Sequence, residues 1–126
     1  MIDYARLDGI KDEGYPILKF EGVTYKVGLA KQCDLILINK YQFKIQKLSE
    51  EYSKVSSKGI EDESSFDKLD SLYKQLMVTI KELFLLILNM NGKRVFDKEF
   101  VDTIPFEIIK NECDNYVKYV KDKLKN

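Results

Sequence analysis

The sequence predicts a mainly α fold: an N-terminal β-hairpin, then a long antiparallel helical hairpin, then a third C-terminal helix. Three observations carry this. Apolar residues alternate in twos between positions 17 and 27. They recur at alternating steps of three and four from Ile38 to Val55 and again from Phe66 to Met90. A short Ser-rich, acidic link, residues 56–65, separates the two periodic stretches, which favours antiparallel neighbours.

Residues 1–15 carry Asp3, Asp8, Gly9, Asp12, Glu13 and Gly14 among few apolar side chains. They read as an irregular arm, with Ile2, Tyr4 and Leu7 available to pin it to the body. The rest, 16–126, reads as a single helical domain. In the hairpin, 17–27, Leu18, Phe20, Val23, Tyr25 and Val27 stand against Lys19, Glu21, Thr24 and Lys26. Glu21-Gly22 is the turn, weaker than Asn-Gly but usable. An isolated two-stranded hairpin is marginal in water, so its apolar face needs the helices or another chain.

The first helix is expected over about 31–56, with Ile38, Tyr41, Ile45, Leu48, Tyr52 and Val55 on one stripe. The run Leu35-Ile36-Leu37-Ile38 suggests burial on more than one side at its start. Gly59 is the expected terminator. Ser64 with Asp67 fits a loose capping box for the second helix, about 65–91. There Phe66, Leu69, Tyr73, Leu76, Ile80, Leu83, Ile87 and Met90 form one stripe, and Leu72, Met77, Phe84 and Leu88 a second. Asn91-Gly92 ends it. Residues 93–101 form a connector able to hold a helical turn. Thr103 as N-cap and Pro105 in the first turn open the third helix, to about 123. Its apolar face is Phe106, Ile109, Cys113, Tyr116 and Val120, and Lys121, Lys123 and Lys125 suit the negative end of its dipole.

Composition then narrows function. A chain of 126 residues points to one domain with a self-supporting core. Lys plus Arg equals Asp plus Glu at 21 each, so no basic excess exists for nucleic acid or an anionic membrane. Zero net charge also removes long-range repulsion between copies and mildly favours self-association. Cys33 and Cys113 stand far apart, outside any CxxC pair. Two reduced thiols are expected, with a disulfide between the first and last helices as the alternative. Residues 1–12 lack a basic region followed by an apolar run, and Leu83–Leu88 is far short of the ~20 residues that span a bilayer. A cytoplasmic protein is expected.

Catalytic chemistry finds little to work with. The absence of histidine removes the commonest general base and metal ligand. There is no P-loop, GxGxxG or GxSxG. Glu61-Asp62-Glu63 is the densest acidic cluster, but it lacks calcium-loop spacing and suits a helix start. No catalytic, cofactor or metal residue is therefore assigned. Tyr41, Tyr52, Tyr73 and Tyr116 on the apolar stripes read as core aromatics or as interface residues. The second helix ends apolar all round, more than one neighbouring helix covers. The hairpin and third helix cover the excess, or Leu83, Phe84, Leu86, Ile87 and Met90 form a partner-binding surface.

In this order of elements the chain resembles the tail assembly chaperones of long-tailed bacteriophages and prophages. The resemblance rests on Phe20-Glu-Gly-Val-Thr-Tyr-Lys-Val27, the helix after it, the acidic loop, and Leu69-Asp-Ser-Leu-Tyr-Lys-Gln-Leu76 leading into an apolar helix. It spans roughly 17–124. It implies a non-enzymatic protein of the host cytoplasm that binds the tape measure protein. It would shield that protein until tail tube subunits polymerise, often while self-associating. The competing expectation is a small cytoplasmic helical adaptor that binds a single protein partner.

Overall fold

The structure, a computed structural model, describes residues 14–59 and 62–124. Most of the expected arm therefore lies outside the described residues, as do Glu61 and Lys125. Tyr15 belongs to the first strand rather than to the arm.

The hairpin pairs β1 (Tyr15–Phe20) antiparallel with β2 (Val23–Val27). Glu21 and Gly22 both take positive φ, 51° and 77°, the turn whose twist matches that of the strands. The register breaks between Pro16 and Leu18. A bulge there sends Ile17 into the core and leaves Leu18 and Phe20 half-buried. Simple alternation missed Ile17 for this reason. On β2, Tyr25 and Val27 point inward as expected, whereas Val23 is exposed.

Helix α1 runs Gln32–Ser57 and α2 runs Glu63–Leu88. They form the expected helical hairpin and pack along each other. Gly59, at φ 80°, follows the end of α1. The N-cap of α2 is Asp62, not Ser64: its carboxylate accepts from the Ser65 amide at 3.0 Å. Asp62 is two residues upstream of the predicted cap, and a shorter link starts the helix earlier. The start of α1 is not doubly buried as expected. Ile38 and the half-buried Leu35 face inward, but Ile36 and Leu37 are exposed, because only α2 lies beside this helix along most of its length.

A short 3-10 turn, Asn89–Asn91, closes α2, with Gly92 left-handed at φ 76°. Two asparagines then order the connector. Asn89 bonds the Phe96 backbone in both senses, Nδ2 to its carbonyl at 3.0 Å and Oδ1 from its amide at 2.7 Å. Asn91 accepts from the Lys93 and Arg94 amides. These contacts hold Phe96 in the core. A five-residue helix, α3 (Lys98–Asp102), follows, N-capped by Asp97. Thr103 is not the N-cap of the last helix. It ends α3, its hydroxyl donating to the Phe100 carbonyl at 2.6 Å.

Helix α4 runs Phe106–Leu124. Phe106 meets Tyr73 near its start, and the Cys113 thiol meets the Ile80 carbonyl seven residues further along both helices. The two helices therefore run in the same direction, and the connector carries the chain back along α2 between them. The core gathers Ile17, Tyr25 and Val27 from the hairpin, Ile38 from α1, and Ile80, Leu83, Phe84, Ile87 and Leu88 from α2. Phe96 and Val101 from the connector and Ile109, Cys113, Tyr116 and Val120 from α4 complete it. Among the described residues no helix is long and apolar enough to cross a membrane.

Candidate protein-binding groove

Three helices set the geometry. Both α1 and α4 pack on α2, and between their flanks an open groove of about 270 Å³ remains. Tyr73, Leu76, Ile80 and Leu83 of α2 form its floor. Ile45 lines one wall, and Phe106, Cys113 and Val117 the other. Gln42, Gln46 and Ser49 edge the α1 side, Lys110 and Asp114 the α4 side. From Phe106 to Val117 the wall covers about three helical turns, roughly 16 Å. An apolar trough of that length with a sparse polar rim suits the apolar face of a helix.

Its one thiol is not a nucleophile. Burial, reinforced by the charges of Asp114 and Glu112, pushes the Cys113 thiol well above its ordinary range, so it stays protonated. Cys33 is exposed near the start of α1, and neither cysteine is in a disulfide. The tyrosines divide. Tyr116 is fully buried and Tyr73 is exposed at the groove floor. Tyr41 and Tyr52 are half-buried on α1, with Tyr52 tilted against Tyr73.

The five residues predicted to bind a partner do not form a surface. Leu83, Phe84 and Ile87 are enclosed in the chain's own core, and Leu86 and Met90 are half-buried against it. The hairpin, the connector and α4 absorb the apolar excess of this segment. Only Leu83 touches the groove, at its floor. Sequence reasoning missed the opposite wall, because which helix flanks α2 is a property of the connector's path. The periodic positions Tyr73, Leu76 and Ile80 were the available signal.

A second concavity, of about 420 Å³, lies between α2 and α3. Met77, Val78, Leu85 and Val101 line it, with Lys74, Lys81 and Lys98 at its edge. Lys74 is paired with Asp70 at 2.9 Å and Lys81 with Asp102 at 3.2 Å, so two of these three cations are already matched. Among the described residues no group of three or more Cys, Asp and Glu side chains converges as a metal site would. Comparison of the chain with known protein families, characterised proteins and solved structures finds no match.

Proposed function

We propose that the chain is a non-enzymatic protein-binding protein whose groove between α1 and α4 seats an apolar helical segment of its partner. The groove itself carries this reading: its floor and walls are aliphatic and aromatic, its rim is uncharged apart from Lys110 and Asp114, and its buried thiol is held protonated. A helix laid in it would place large apolar side chains at i, i+4 and i+7 over Ile80 and its neighbours.

Together with the resemblance of residues 17–124, this makes a tail assembly chaperone the leading reading, with the tape measure protein as partner. A tape measure protein is long, helical and apolar, and would need such a cover before tube subunits enclose it. The test is co-expression with a phage tape measure protein, followed by pull-down. Capture is expected, and Val117→Asp on the groove wall should abolish it while the far-ultraviolet helix signal persists. Failure of the intact chain to capture that protein overturns the tail reading. Capture that survives Val117→Asp overturns the groove.

A further inference from the structure

The outward face of α1 holds a pattern that the core does not use; it touches the groove's rim only where Gln46 donates to Glu50 at 3.3 Å. Ile36, Lys40, Phe43, Lys47, Glu50 and Lys54 follow one another at alternating steps of four and three. They form one exposed stripe, on the side of the helix opposite Ile38 and Leu48. Ile36 is 62% exposed and Phe43 64%. The Lys47 ammonium sits over the Phe43 ring, 5.3 Å from its centroid.

We propose that this stripe pairs α1 with α1 of a second copy of the chain, antiparallel, about a twofold axis between Phe43 and Lys47. Charge decides the direction. In a parallel pair each position faces itself, so Lys40, Lys47, Glu50 and Lys54 would each meet a like charge. In an antiparallel pair the two kinds of heptad position alternate across the seam. The register centred between Phe43 and Lys47 sets Lys40 against Glu50, Phe43 against Lys47, and Ile36 against the aliphatic stem of Lys54, each twice. It uses all six positions. A shift of one heptad toward the N-terminus leaves Glu50 and Lys54 without counterparts in the stripe.

The chain's zero net charge leaves no long-range repulsion to oppose the contact. A seam of one helix pair falls at the small end of specific interfaces, so a reversible monomer–dimer equilibrium is expected. The stripe faces away from Ile45 and Ser49 on the groove's α1 side, and Gln46 on the groove rim borders it. The inference does not depend on what the groove binds.

Sedimentation velocity over a wide concentration range, under reducing conditions that keep Cys33 a thiol, tests it. A monomer–dimer equilibrium is expected, and Phe43→Asp should leave only monomer. Lys40→Glu and Glu50→Lys should each weaken the dimer about tenfold, because each change falls on two contacts. The double variant should regain the original affinity. All three positions are exposed, so unchanged circular dichroism is expected throughout. A strict monomer up to millimolar concentration overturns the proposal. So does a dimer indifferent to Phe43→Asp, or a double variant no tighter than either single one.

Discussion

The Tyr116 hydroxyl donates to the carbonyl of Gly28 at 2.9 Å, joining the last helix to the link between the hairpin and α1. The ring is fully buried and sits edge-on to Tyr15 of β1. One side chain thus ties three parts of the chain that only tertiary structure brings together. Replacing it with phenylalanine keeps the packing and orphans one acceptor. We expect Tyr116→Phe to cost about 1 kcal/mol, and Tyr116→Ala about 3–5 kcal/mol by analogy with other buried aromatics. Urea unfolding followed by circular dichroism measures both. Equal losses would mean that the hydroxyl, not the ring, carries the contact.

The same corner predicts an alkaline weakness. Burial, and then a hydrogen bond to the Glu112 carboxylate, raises the Tyr15 phenol to about 12. Burial also raises Tyr116 to about 12. In the unfolded chain both phenols lose their protons near 10. Folding therefore favours the protonated forms. The stability they contribute is present in full below pH 10 and disappears as pH rises from 10 toward 12. The urea midpoint should fall across that window. In Tyr15→Phe it should fall less steeply, because one of the two phenols is gone. A flat midpoint to pH 12 would rule out the account.

Phe84 has no exposed surface and lies inside the core shared by all the elements. Phe84→Ala should therefore cost about 3–5 kcal/mol, and Phe84→Asp should unfold the chain by burying an unpaired carboxylate. Such a variant reports on folding, not on association. Thermal unfolding alongside sedimentation distinguishes the two: loss of helix signal at the same concentrations as loss of any dimer is the expected result.

The contrast between Phe84 and Phe43 shows how far the sequence could be read. Periodicity placed α1, α2 and α4 within two or three residues, because burying an apolar stripe is what makes such helices form. It could not say what covers each stripe. The excess on α2 around Phe84 pointed to a partner, yet residues 93–105 fold back along α2 and bring α4 to lie parallel with it. That path depends on Asn89 and Asn91 gripping the connector backbone, which no hydropathy pattern encodes. The exposed apolar residues of α1 are Ile36, Leu37 and Phe43: the first two sat in a run expected to be buried, and Phe43 stood out from no pattern in a helix already supplied with a core stripe. Local chemistry failed in smaller ways. Asp62 took the cap assigned to Ser64, and a one-residue bulge turned Ile17 inward. Several adjacent polar side chains can serve as a cap, and a bulge between Pro16 and Leu18 shifts which residues of β1 face the core.

The turn at Glu21-Gly22 carries a local strain that can be removed. Glu21 is the one non-glycine residue with positive φ among the described residues, a conformation that costs an ordinary L-residue roughly 1 kcal/mol or more and asparagine less. Glu21 offers something in return. Its carboxylate lies 3.9 Å from the Arg94 guanidinium, and that guanidinium stacks over both Phe20 and Phe96. The pair is solvent-exposed, however, with 47% of the arginine side chain and 70% of the glutamate open to water, so the charge contact contributes only a few tenths of a kcal/mol. The stacking of Arg94 on the rings does not require the carboxylate. Backbone relief should therefore win, and Glu21→Asn should raise stability by about 0.5 kcal/mol, the difference between those two effects. Glu21→Val, β-branched at the same φ, should lower it. Urea midpoints in high and low salt separate the contributions: if Glu21→Asn destabilises only at low salt, the ion pair is the stronger of the two.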